Sequence, residues 1–198
     1  MKYPRIWVAA HGGPVEAAWD RTAPVEVLVL LSADPDVGVQ IGVATNTAMP
    51  AEVLRRMFEA GKDLGTLEAI GGNPNTPVDI LRRLAAHEDG PIRRKVGGNP
   101  KTPAEVLETL AEDVREVRYE VALNRSTPEP VLVNLAGDDH PSVRRAAAVN
   151  SKLPSRVLHR LASDENVDVR TVAAESIRIG AAQRQRAAYE RAWKEKKV

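Results

Sequence analysis

Thr102 to Asn124 reads TPAEVLETLAEDVREVRYEVALN. Thr102 suits a helix N-cap, Pro103 suits the first helical position, and Glu105 completes a capping box. Val106, Leu107, Leu110 and Ala111 recur at helical spacing on one face. Asp113 marks the end of that helix or the turn after it. Val117, Val121 and Ala122 mark the buried face of a second, shorter helix. Asn124 closes it, because Asn tolerates the left-handed backbone that often terminates helices. The stretch predicts helix, turn, helix, entered through a proline corner, Asn99-Pro100-Lys101-Thr102-Pro103.

The unit recurs along the chain. Its proline returns at Pro24, Pro50, Pro77, Pro103, Pro128 and Pro154, at intervals of 25 to 27 residues. Four residues after each stands Leu28, Leu54, Leu81, Leu107, Leu132 or Leu158. The units close on Asn46, Asn73, Asn99, Asn124 and Asn150, and the sixth on Ser176. A period of this size means a stacked solenoid, in which each unit buries its apolar face only against its neighbours. No segment alternates with a period of two, so no sheet is expected. The fold class is all-α.

The pattern TPxxVLxxLAxDxxxxVRxxVAxN resembles the leucine-rich repeat variant family. It is clearest in Thr76 to Asn99, Thr102 to Asn124, Thr127 to Asn150 and Leu153 to Ser176. The resemblance covers most of the chain, roughly Arg21 to Gly180. It implies a right-handed superhelix of about six units that alternate α- and 3₁₀-type helices, without the strands of ordinary leucine-rich repeats. The Asp followed by Val-Arg is more loosely similar to HEAT repeats. Some proteins similar to this family carry a cysteine-bound iron–sulfur cluster before the repeats. This chain has no cysteine, so that cofactor does not carry over. The family implies a fold and no single activity.

The ends depart from the unit. Arg5 to His11 (RIWVAAH) matches the second-helix signature, with His11 where Asn normally stands. Residues 1–23 therefore read as a half-repeat followed by a capping insertion that carries Trp19. Residues 24–180 hold six repeats, and residues 181–198 read as a basic amphipathic helix that either caps repeat six or is free to bind a partner. In repeat two, Ala60-Gly61-Lys62-Asp63-Leu64-Gly65 replaces the usual turn, so its second helix is expected to be the least regular.

Composition narrows the chemistry. An apolar fraction of 43% supports a core, and aromatics at only 4% suit closely stacked small units. Without cysteine, disulfides, thiolate metal sites and cysteine nucleophiles are excluded. No signal peptide or transmembrane span is legible, and a cytoplasmic location is expected. Net charge is +1. From Arg178 onward there are seven basic residues against two acidic, so the array is mildly acidic and the tail basic. His11, His87, His140 and His159 show no metal-ligand spacing, and no nucleophile–base set is visible. Neither an enzyme nor a cofactor is expected.

The candidate partner-binding residues are mostly arginines. Arg93, Arg118, Arg144 and Arg170 recur six residues before each closing position, and Asp113, Asp138 and Asp164 lie five or six residues before their arginine. This spacing reads first as a structural ion-pair ladder. The charges left over, Arg94 and Arg145, are the better candidates for phosphate. The closing asparagines read as caps on helix ends. Arg55, Arg56, Arg82 and Arg83 form basic pairs on first helices, which read as a solvated face or an acidic-partner patch. Arg184, Arg186, Arg191 and Trp193 mark the tail. The helix from Pro24 to Ser32 places Val29 and Leu30 where repeats two and three carry arginines. The Trp19 insertion is its expected cover, and a weak dimer the alternative. Two functional readings follow: a non-enzymatic scaffold for a protein or peptide, and sequence-nonspecific nucleic-acid binding through stacked arginines and tail. No membrane partner is expected.

Overall fold

The computed structural model describes residues 3–61 and 63–195. Within the last helix, side chains are described through Gln183 and at Gln185, Arg186 and Glu190. Fourteen α-helices and no strand fill the described residues. After α1 (Tyr3–Ala10) and α2 (Pro14–Trp19), the helices alternate in two columns. First helices are α3 (Val25–Leu31), α5 (Ala51–Glu59), α7 (Val78–Ala85), α9 (Ala104–Leu110), α11 (Glu129–Leu135) and α13 (Ser155–Leu161). Second helices are α4 (Val37–Thr45), α6 (Leu64–Gly72), α8 (Gly90–Gly98), α10 (Arg115–Leu123), α12 (Pro141–Val149) and α14 (Val167–Glu195). The chain is an all-α solenoid. Both columns are α-helical, so the expected 3₁₀ layer shrinks to single i→i−3 closing bonds such as Asn99 N–H to Val96 O. The second helices are the longer set, not the shorter one.

The core is a continuous ribbon between the columns. From each first helix it takes the Val-Leu pair and the following Leu, as in Val106, Leu107 and Leu110, all at most 8% exposed. Second helices contribute small residues. A Cβ on Gly71 would stand 3.4 Å from the Val96 side chain, and one on Gly97 would stand 3.3 Å from that of Val121. This lets α6, α8 and α10 approach closely. Second helices touch all along their column, whereas first helices meet closely only at α1–α3 and α7–α9. A two-layer stack bends toward its tighter layer, so the second helices line the inner side of the array.

One asparagine per repeat locks this spacing. Asn99 Nδ2 donates to Gly71 O and Asn73 O, each at 2.8 Å, in the preceding repeat. Asn73, Asn124 and Asn150 repeat the fork at 2.6–3.0 Å. Each Oδ1 accepts the amide two residues on, as from Lys101 to Asn99 at 2.9 Å. The asparagines sit in extended backbone, φ about −70°, and no non-glycine residue among those described has positive φ. Their role is side-chain reach across repeats, not left-handed capping. The threonines are also reassigned. Thr102 Oγ1 donates 2.6 Å backward to Val96 O, as do Thr76 and Thr127 to their preceding helices. Pro103 takes the N-cap place, with no side-chain cap.

Three local readings change. α1 packs on α3, and α2 stacks on α4 in the inner column. Asn46 Nδ2 donates to Asp20 O at 3.0 Å, so Asp20, not His11, stands where a closing asparagine would. The N-terminus is thus a degenerate whole repeat. The cover over α3 is α1, with Trp7 and Val8 partly buried. Trp19 instead lies over Gly42, where a Cβ would be 3.0 Å from its ring. In repeat two, α6 is a regular nine-residue helix capped by Asp63 on Thr66 N–H, and the irregularity is confined to the loop, where Gly61 has φ of 66°. Lys62 lies outside the described residues. Finally, α14 runs unbroken from Val167 into the tail. Ser176 donates one bond, to Ala148 O at 2.8 Å, but has no carboxamide to hold a turn, and no proline follows Pro154. Ala181, Ala182 and Gln183 are exposed, so this stretch prolongs repeat six rather than folding over it. No helix among the described residues is long and apolar enough to cross a membrane.

Asn99→Ala removes both protons of a buried fork; Gly71 O loses its donor, while Asn73 O keeps the Thr76 amide. At roughly 1–3 kcal/mol for an unsatisfied buried group, urea unfolding should show a loss of about 1–3 kcal/mol. A change within error would remove the asparagine column from its central place.

Candidate functional site

The charges of the array sort into those that hold it together and those left to face a partner. Arg93 Nε and Nη2 clasp Asp113 at 2.6 and 2.9 Å. Arg118 clasps Asp138 at the same distances, and Arg144 clasps Asp164 at 2.8 and 2.9 Å. Each arginine therefore reaches the aspartate of the next repeat. Its Nη1 meanwhile ties the carbonyls of its own interhelical turn, as from Arg144 to Asp138 O and Asp139 O at 2.9 and 3.1 Å. Arg170, the last in the row, makes only the turn bonds, to Asp164 O and Glu165 O. Gln40 makes the neutral version, 2.6 Å to Asp34 O. Twenty residues after Gln40 and Leu67, where the clasped aspartate belongs, stand Ala60 and His87. The arginine is missing where its aspartate is missing.

These aspartates are held below the ordinary carboxylate range. For Asp113 and Asp164 the main cause is hydrogen bonding from Arg93 and Arg144, which outweighs burial. For Asp138 burial pushes upward most strongly, but the Arg118 bond and the His140 amide together carry it below. A depressed folded-state value stabilises the fold above the unfolded value, about 3.9 for Asp, and that stability is lost as pH falls through the folded value.

The candidate arginines divide. On the outer helices, Arg55 binds Asp79 at 2.5 and 2.8 Å, and Arg82 binds Glu105 at 2.6 Å. Arg83 binds Glu59 at 2.6 Å and lies 4.4 Å over the Phe58 ring. These exposed pairs link neighbouring first helices, and solvent screening leaves each little net stability. Arg56 is exposed with no carboxylate in ion-pair range among the described residues. On the inner helices, Arg94 is exposed and pairs with Glu120 at 2.9 Å. Arg145 is exposed and forms no ion pair among the described residues. Arg186 pairs along α14 with Glu190 at 3.1 Å. The side chains of Arg184, Arg191 and Trp193 lie outside the described residues. Among the described residues no continuous row of unpaired arginines remains.

What the inner column exposes is mixed. Trp19, Leu123 and Val149 occupy one register, the residue before each closing position, and are 52%, 37% and 55% exposed. Gly72 and Gly98 fill that register in the middle. There the Lys95 and Glu120 side chains lie across the gap, Lys95 pairing with Glu68 at 3.6 Å. The inner face is thus apolar toward both ends and ion-paired at its centre. At the C-terminal end a cavity of about 410 Å³ opens among Val149, Leu153, Leu158, Ser176 and Ile179. It exists because α14 continues straight, leaving uncovered the place where another corner would pack. Leu158 is 8% exposed, while Leu54, Leu81, Leu107 and Leu132 are fully buried. Sequence spacing flagged Arg145 but missed this cavity and the Leu123–Val149 register. Among the described residues no group of three or more His, Asp or Glu is placed to hold a metal ion.

No family model and no curated protein matches the chain. Among solved structures it is similar to a leucine-rich repeat variant with a novel repetitive structural motif, at 29% identity and TM-score 0.56, over 87% of this chain and 71% of that one. It is also similar to an engineered protein, at 19% identity and TM-score 0.41, over 88% and 90% of the two chains. A third likeness is a designed armadillo repeat protein in complex with peptide (KR)4, at 18% identity and TM-score 0.39, over 89% and 92%. The two interlocked helical columns define a helical-repeat solenoid. Within that class the chain is similar to the leucine-rich repeat variants.

Arg144→Ala leaves Asp164, whose side chain is only 8% exposed, without its partner. Breaking a buried pair on one side costs about 3–5 kcal/mol. Thermal melts at neutral pH should show that loss. The gap between variant and parent should narrow as pH falls below about 4, because the parent then loses the same bond by protonation. A gap independent of pH would contradict the depressed Asp164.

Proposed function

We propose that the chain is a non-enzymatic scaffold that holds a protein or peptide partner along the inner face of its second helices. One observation carries this reading: the inner column exposes large apolar side chains in register, while its stacked arginines are spent on aspartates of the next repeat. Trp19, Leu123 and Val149 remain open to solvent on the second-helix column. Large apolar side chains exposed on the inner surface of a repeat array mark an interaction face. A phosphate backbone needs unpaired cations in sequence along the groove. The Arg93, Arg118 and Arg144 row is neutralised, which counts against nucleic acid as the principal ligand.

A photo-reactive amino acid placed at Leu123 should give discrete protein adducts in cells that make the chain. The same group at Asn134, exposed on the outer helix α11, should give few. Equal labelling at both positions, or adducts only from Asn134, would remove the inner face as the site.

A further inference from the structure

Four cations of the C-terminal half, three on the corners that leave the inner helices and one on α12, have no carboxylate partner among the described residues. Lys101 and Arg125 lie on the corners after Asn99 and Asn124, and Lys152 on the corner after Asn150. Arg145 stands one helical turn before Val149 on α12. All four are exposed. The nearby carboxylates are already taken: Glu120 by Arg94, Glu129 by Arg156 at 3.6 Å, and Glu175 by Arg178 at 2.7 Å. The cations flank an apolar track. Leu123 and Val149 run along it, and Val149 forms one wall of the 410 Å³ cavity that Leu153, Leu158 and Ile179 complete. Ser151 lines the same cavity beside Lys152.

We propose that this half of the inner face, Lys101 to Ile179, is the docking site for an acidic peptide that carries one large apolar side chain. The proposal rests on the scaffold reading above and names its partner. Carboxylates meet Lys101, Arg125, Arg145 and Lys152, and the apolar side chain enters the cavity over Leu153 and Leu158. The repeat sets the ligand's spacing. Packed helices lie about 8–10 Å apart, and three residues of extended or polyproline-like chain advance about 9–10 Å. One carboxylate every third residue then meets one repeat after another from the same side. Rim cations of this kind govern partner choice and association rate, while the buried apolar side chain governs how long the complex lasts. A peptide is favoured over nucleic acid because Leu123 and Val149 beside the cations are aliphatic and lead to an open cavity floored by Leu153 and Leu158.

The test is a display selection of random twelve-residue peptides on the full chain, with winners measured by fluorescence anisotropy at physiological salt. Winners should be rich in Asp and Glu at roughly three-residue spacing, with one Leu, Ile, Phe or Met. Arg145→Glu with Lys152→Glu should weaken them tenfold or more. Val149→Asp, at an exposed position, should do the same, and Arg56→Glu on the outer face should not. Circular dichroism melts matching the parent establish that each variant folds. Basic or neutral winners, or acidic winners indifferent to the inner-face variants, would overturn the acidic-peptide assignment while leaving the scaffold intact. No enrichment of any peptide would overturn the scaffold reading itself. Single-stranded DNA of twelve nucleotides that binds more tightly than every winner would overturn the assignment in favour of nucleic acid.

Discussion

The carboxamide that closes each of repeats two to five donates both of its protons to carbonyls of the repeat before it, and its oxygen accepts the amide that starts the next corner. Three bonds from one buried side chain set the distance between repeats, the direction in which the chain leaves the helix, and the alignment of successive inner helices. A carbonyl without a partner in this interior costs about 1–3 kcal/mol, so the spacing has little freedom. The small residue two positions before each asparagine, Ala44, Gly71, Gly97, Ala122 or Ala148, suits this close approach of successive inner helices. The curvature follows from the same constraint, since only the inner column is drawn together in this way.

A second network sits at the opposite end of the second helices. Each arginine clasp joins two repeats and tidies a turn, and its charge is cancelled within the array. This arrangement separates structure from recognition. Arg93, Arg118 and Arg144 look like a phosphate track when read in one dimension, yet their guanidinium groups face aspartates and carbonyls. The charges free to meet a partner, Arg145 with Lys101, Arg125 and Lys152, obey no single column of the repeat. They are recognised only by what they fail to touch.

The C-terminal end shows how a small departure opens a site. Replacing asparagine by Ser176 keeps one backward bond and loses the group that turns the chain. The helix continues, and the berth of a further corner becomes a cavity over Leu153 and Leu158. The N-terminal end departs differently. Asp20 offers its carbonyl to Asn46 and so completes the first rung without an asparagine of its own.

The period of about 26 residues, the two helices per unit, the leucine core and the pairing of arginine with aspartate were all legible in the chain. Each depends on contacts at a fixed sequence interval, and a repeat displays its own long-range contacts as periodicity. Other features were misread from sequence. Thr102 reads as an N-cap but points backward, and RIWVAAH reads as a second helix but occupies the first column. In both cases local propensity suited two placements, and burial against a neighbouring repeat chose between them. Which arginines are free, which apolar residues stay exposed, and where a cavity forms were decided only by the tertiary structure. These depend on the distance between side chains in adjacent repeats, a quantity that sequence periodicity leaves open.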